Sequence, residues 1–88
     1  MISNEELKKL KGMKYVYRSG YMVNKTFFTQ EVTDIDINDN IIIFNFLNGC
    51  VTVERKFISY EKGIYGEKIY TLYDNEANVS YGKIVENI

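Results

Sequence analysis

The chain contains no histidine, no proline and no tryptophan, and it has a single cysteine. Without histidine, the commonest general base, the commonest metal ligand and the Ser-His and Cys-His nucleophile pairs are all missing, which excludes the ordinary hydrolase constellations. Cys50 alone cannot form an intramolecular disulfide, so the staple of small secreted domains is absent and a cytoplasmic location is expected. No run approaches the roughly 18 apolar residues of a membrane-spanning helix. The start carries Glu5, Glu6, Lys8, Lys9 and Lys11 where an export signal has an apolar centre, so no membrane partner is expected. The net charge is only -1, and the chain as a whole exerts no long-range pull on nucleic acid. Partners must be recognised by local patches.

What is present is an aromatic-rich, foldable composition. Hydrophobic residues make up 45% of the 88 positions and aromatics 15%, with Tyr 8 and Phe 5, far from the profile of a disordered chain. That length builds a single domain over residues 1–88, around one core. A domain this small buries only roughly 60% of the surface its unfolded chain exposes, which keeps self-association in play. Residues with AT-rich codons (Phe, Tyr, Met, Ile, Asn and Lys) account for about half of the chain, which points to an AT-rich genome such as that of a low-GC bacterium, its phages or its mobile elements.

The pattern predicts a mainly β protein with a short N-terminal helix. Residues 3–11 form the one helical stretch: Ser3 can cap it, Glu6 lies in capping-box position, Leu7 and Leu10 share a face, and Gly12 can end it. Residues 13–88 then change to Tyr, Val, Ile, Phe and Thr in short runs broken by Gly, Asn and Asp, the signature of antiparallel strands and turns.

The clearest part is residues 33–57. Two turn dipeptides, Asp39-Asn40 and Asn48-Gly49, divide three runs. As two-residue hairpin loops they pair Ile35 with Phe44, Ile37 with Ile42, Phe46 with Val51 and Phe44 with Val53. Strand alternation then gathers Ile35, Ile37, Ile42, Phe44, Phe46, Val51, Val53 and Phe57 on one side, the core. The outer side carries Asp34, Asp36, Ile41, Ile43, Asn45, Thr52, Glu54 and Lys56.

A hairpin over residues 69–85 with a turn at Asn75-Glu76 would pair Leu72 with Val79 and Tyr70 with Tyr81, all four facing the core. Runs at 13–23 and 26–32 read as two strands around Asn24-Lys25, and Gly63 and Gly66 mark a bend. The expected architecture is an antiparallel meander of about six or seven strands, curled into a small barrel or a strongly bent sheet, with the helix capping one end.

Motifs that carry chemistry fail on inspection. Asp34, Asp36, Asn38 and Asp39 resemble the start of a calcium loop, but Asp39 stands where the loop needs glycine and Asn45 where it needs a bidentate glutamate. Gly63, Gly66 and Lys68 are too sparse to cradle phosphate. Asp36 and Glu54 are expected on an open face that does not set up a carboxylate pair for acid-base work. Cys50 has no histidine to activate it. No metal, cofactor or catalytic residue is therefore assigned.

Two surfaces remain as candidate binding sites. Residues 1–25 have net charge +4 and residues 26–88 have -5. In the basic part, Lys14, Tyr15, Tyr17, Arg18, Tyr21 and Lys25 mix cations with stacking rings, as a single-stranded nucleic-acid site on a small barrel requires, unless the tyrosines fill the core. In the acidic part, Asp34 and Asp36 beside Ile41 and Ile43 form a carboxylate rim around apolar contacts, unless the helix or the last hairpin covers them. Eight tyrosines exceed what such a core needs, and Tyr60, Tyr65 and Tyr73 are the surface candidates; Tyr65 and Tyr73 join the protein-binding set. The leading expectation is a non-enzymatic protein-binding module, an accessory or inhibitor protein of a bacterial mobile element or phage, with another protein or a second copy as partner. The alternatives are a single-stranded nucleic-acid-binding barrel and a barrel that sequesters a small molecule.

Overall fold

The computed structural model describes residues 1–19, 26–74 and 80–86. They form helix α1 (Asn4–Lys8) and eight strands: β1 (Lys14–Ser19), β2 (Thr26–Glu31), β3 (Asp34–Asn38), β4 (Ile41–Phe46), β5 (Gly49–Glu54), β6 (Ile58–Lys62), β7 (Lys68–Tyr73) and β8 (Ser80–Val85). A five-stranded sheet has the order β2-β1-β8-β7-β6, and a three-stranded sheet the order β3-β4-β5. Every pairing is antiparallel. The fold is thus mainly β and a bent antiparallel meander, as expected, with the strands in two sheets that do not close into a barrel. The chain changes sheet twice, at Val32-Thr33 and at a 3-10 turn over Arg55–Phe57.

One core lies between the sheets. The larger sheet contributes Tyr15, Tyr70, Leu72 and Ile84, and the smaller one Ile42, Phe44, Phe46 and Val53. Leu7 and Leu10 of the N-terminal turn fill one end of the gap and are fully buried. The Ser3 hydroxyl accepts from the Glu6 amide at 3.1 Å, as the capping pattern requires. The Glu6 carboxylate accepts the Tyr70 hydroxyl at 2.8 Å, which ties the helix to β7. Gly12 takes φ +90° where the chain turns into β1. Helical bonding ends at Lys8 and looser turns complete the span expected to reach Lys11.

The smaller sheet has the expected faces with one change of register. Ile35 opposes Phe44 and Ile37 opposes Ile42. Beyond β4, however, Phe44 opposes Val51 and Ile42 opposes Val53, with Phe46 opposite Gly49. The two-residue turn is Leu47-Asn48, not Asn48-Gly49. The position that needs positive φ is the one after the turn: Gly49 has φ +117° as the first residue of β5. Because the slip is even, every side chain keeps its predicted face.

Two further expectations are corrected. The run from Gly49 to Lys62 is broken by the Arg55–Phe57 turn, which adds a strand to the six or seven expected. No glycine or asparagine marks that break; Arg55 makes it, its amide bonding the Asn40 carbonyl at 2.7 Å and its side chain turning back to the N-terminus. In the last hairpin Tyr70 opposes Ile84, not Tyr81, and Leu72 opposes Gly82. A register shift between Leu72 and Tyr73 leaves Tyr81 as an extra residue, 38% exposed and out of the core. Val79 and the turns at Asn24-Lys25 and Asn75-Glu76 lie outside the described residues.

Candidate functional site

Strand alternation sends Tyr15 and Tyr17 of β1 toward the smaller sheet. Tyr15 stacks on Phe46 with ring centroids 4.6 Å apart and planes at 10°. Tyr17 stacks on Tyr15 at 5.1 Å, and Phe28 of β2 on Tyr17 at 5.6 Å and 24°. Four rings therefore run in one row, from Phe46 and Tyr15 in the core to Phe28, which is 44% exposed. Such offset, near-parallel pairs at these separations are mutually favourable.

Beside this row, between β1 and the β4-β5 turn, lies an open groove of about 280 Å³. Its walls include Tyr15, Tyr17, Gln30, Phe46, Asn48 and Tyr81, and every described residue lining it is uncharged. A polar thread crosses it: Gln30 donates from Nε2 to the Tyr17 hydroxyl at 3.3 Å and accepts the Asn48 amide on Oε1 at 3.3 Å. The Tyr15 hydroxyl donates to the Tyr81 carbonyl at 2.7 Å. Burial, with smaller contributions from Tyr17 and Tyr81, pushes the Tyr15 phenol up to about 12, so this donor is protonated throughout the physiological range. Leu47 projects from the turn that forms one wall and is 86% exposed.

Of the residues of the nucleic-acid reading, Tyr15 and Tyr17 line this groove and Lys14 does not. Tyr15 is buried at 6% exposure and Tyr17 half-buried, both as members of the ring row. Lys14 points to the other face of β1, where it pairs with Glu31 at 3.6 Å. Arg18 lies opposite Phe27 in the β1-β2 pairing, while Tyr21 and Lys25 lie outside the described residues.

The residues of the protein-binding reading fall on separate surfaces. Asp34, Asp36, Ile41 and Ile43 do come together, on the outer face of β3 and β4, where Asp36 opposes Ile43 and accepts from Asn45 at 2.9 Å. The helix packs on the core side, leaving Ile41 38% exposed and Ile43 half-buried. Tyr65 is on the β6-β7 turn, 79% exposed beside Ile64 at 91%. Tyr73, half-buried, ends β7 at the end away from that turn, roughly 17 Å beyond Lys68 at about 3.3 Å per residue. Tyr60 is 49% exposed on edge strand β6.

Sequence reasoning missed Phe28, Gln30, Leu47, Asn48 and Tyr81 as a group. Leu47 carried a signal, being a large apolar residue next to a turn dipeptide. Phe28 and Gln30 required the β1-β2 register, which residues 20–25 did not disclose.

No protein-family model, no curated protein and no solved structure matches the chain.

Proposed function

We propose that this chain is a non-enzymatic module that binds another protein through the groove beside the Phe46–Tyr15–Tyr17–Phe28 row. The observation that carries this reading is the exposure of Leu47, 86%, on the two-residue turn between Phe46 and Gly49, which with Asn48 line the groove that Tyr81 also borders. A large aliphatic side chain held in solvent with two partly exposed aromatics around an uncharged groove has the make-up of an interface core. Interfaces favour tyrosine and phenylalanine because they bring area at little rotamer cost, and here the stacked row has already fixed them. A nucleic-acid role has weaker support, since Lys14, the cation next to Tyr15, is engaged with Glu31 on the opposite face.

The reading is tested by affinity purification of the tagged chain from a low-GC bacterial host, the setting that the AT-rich composition favours. Wild type is expected to retain a stoichiometric protein after nuclease treatment. Leu47→Asp combined with Phe28→Asp is expected to lose it while remaining folded at the assay temperature, with a lowered unfolding midpoint because the Phe28–Tyr17 stack is gone. Equal recovery by both proteins, or recovery of nuclease-sensitive material alone, would overturn the assignment.

A further inference from the structure

We propose that Asn48 is a self-modifying site, at which the Gly49 amide nitrogen closes on the Asn48 side chain and converts this turn, one way and without an enzyme, into an isoaspartyl or aspartyl form. The proposal goes beyond the binding reading above and does not rest on it.

The reaction needs an asparagine side chain and the backbone nitrogen of the following residue, both of which the turn supplies. The Gly49 nitrogen bonds to Asn48 Cγ while its own proton passes to solvent base, and the Cγ–Nδ2 bond breaks, with Nδ2 leaving as ammonia. The five-membered imide that results takes up one water. Opening at the Asn48 main-chain carbonyl gives isoaspartate, and opening at Cγ gives aspartate. Water is the only co-reactant, and nothing is oxidised or reduced.

Three observations single out Asn48. Of the nine asparagines it alone precedes glycine, whose missing β-carbon leaves the attacking nitrogen unhindered. Asn48 and Gly49 are both exposed, so base and water reach the junction, and a β-carbon built at Gly49 would meet nothing within 4 Å. Gly49 forms the last pair of the β4-β5 ladder, opposite Phe46 and next to the two-residue turn, where local opening that frees its amide costs least. The other asparagines of this sheet differ. Asn45 lies within β4 and its Nδ2 donates to Asp36 at 2.9 Å. Asn40 precedes the β-branched Ile41, and Asn38 precedes Asp39.

The products alter the groove wall. Asn48 lines the groove, donates its amide to Gln30 and follows the exposed Leu47. Isoaspartate routes the main chain through the former side chain, which lengthens the turn that presents Leu47 by one methylene. Either product adds a carboxylate there.

The test incubates the full chain, folded and in denaturant in parallel, at mildly alkaline pH and physiological temperature, followed by tryptic digestion and tandem mass spectrometry. Fragment 26–55 holds Asn38, Asn40, Asn45 and Asn48, so three internal controls travel with the site. In the folded chain, conversion at Asn48 is expected at least tenfold faster than at the other three, with isoaspartate among the products and a rate that rises with pH. Gly49→Ala should slow it at least tenfold. Because Gly49 has φ +117°, alanine is strained there, and Asn48→Gln is the second variant. It keeps the glycine but would need a six-membered ring, and its fragment should stay unconverted. No conversion at Asn48 in the folded chain over the time in which the unfolded chain converts, equal conversion at Asn38, Asn40 or Asn45, an unchanged rate in folded Gly49→Ala, or acidification of the Asn48→Gln fragment at the wild-type rate would each overturn the proposal.

Discussion

The ring of Tyr15 rests on the backbone of Gly82. A β-carbon at Gly82 would meet Tyr15 ring carbons at 2.8 and 3.0 Å and the Val16 carbonyl oxygen at 2.7 Å, and the glycine has φ +149°. The same tyrosine bonds the Tyr81 carbonyl and stacks on Phe46. One side chain thus joins β1, β8 and β4 at the groove. Gly82→Ala is expected to destabilise the fold by about 2–4 kcal/mol, combining overpacking with backbone strain. In a Tyr15→Leu background the same change should cost less, because the ring is gone, yet still register against the Val16 carbonyl. Denaturant unfolding of the four proteins measures this; equal costs in both backgrounds would contradict the contact.

The face assignment of the smaller sheet predicts unequal effects within one pair of strands. Phe44 is fully buried and Asp36 is exposed on the opposite face. Phe44→Ala should cost about 3–5 kcal/mol, as truncation of a buried phenylalanine does. Asp36→Ala gives up an exposed bond from Asn45 and should cost under about 1 kcal/mol. Comparable midpoints for the two variants would mean the faces are reversed.

Much of this sheet was legible in the sequence. Apolar alternation in Ile35, Ile37, Ile42 and Phe44 has a period of two, and period fixes face. It does not fix pairing register to better than an even slip, which is why the turn dipeptide points Phe44 to Val53 whereas the strand pairs it with Val51. The groove was less legible because it depends on what two sheets bring together. Phe46 and Tyr15 are 31 positions apart in the numbering, and nothing local marks them as stacked. Tyr81 was placed inward on alternation alone, but the shift in register at Leu72 and Tyr73 reassigns its side, a feature whose turn-side residues carry no distinctive pattern.

Alkaline pH should weaken the fold through Tyr15 and Tyr70. Burial raises Tyr15 from 10.0 to about 12. Tyr70 is raised further, by burial first and then by its hydrogen bond to the Glu6 carboxylate. Unfolded, both phenols titrate near pH 10. Above that pH the unfolded chain releases protons that the folded chain retains, so stability is full below about pH 10 and falls as pH rises toward the folded values. Unfolding free energy against pH should be flat near neutrality and decline above 10. Tyr70→Phe should start lower at pH 7 and decline less steeply; a slope identical to wild type would contradict the role given to that phenol.

Arg55 holds the N-terminus against the β3-β4 turn. Its guanidinium donates to the Ile2 carbonyl at 2.9 Å, to Asn4 Oδ1 at 2.6 Å and to the Asp39 carbonyl at 2.7 Å. Lysine cannot span three acceptors with a planar fork, so Arg55→Lys should behave as a loss and cost about 1–3 kcal/mol. Amide exchange at Leu7, whose N–H bonds the Ser3 carbonyl, should accelerate while amides of β4 stay protected. Unchanged exchange at Leu7 would show that Leu7 and Leu10 packing and the Glu6–Tyr70 bond hold the helix without Arg55.

The groove's claim to be the working surface is tested most directly by site-specific photo-crosslinking in a low-GC bacterial host. Leu47, Ile41 and Ile64 would be replaced one at a time by p-benzoylphenylalanine, since these three exposed residues report on the groove, the outer face of the smaller sheet and the β6-β7 turn respectively. The account predicts a discrete protein adduct from position 47 and none of comparable yield from 41 or 64. A discrete adduct from 41 or 64 with none from 47 would contradict it and move the binding surface off the groove.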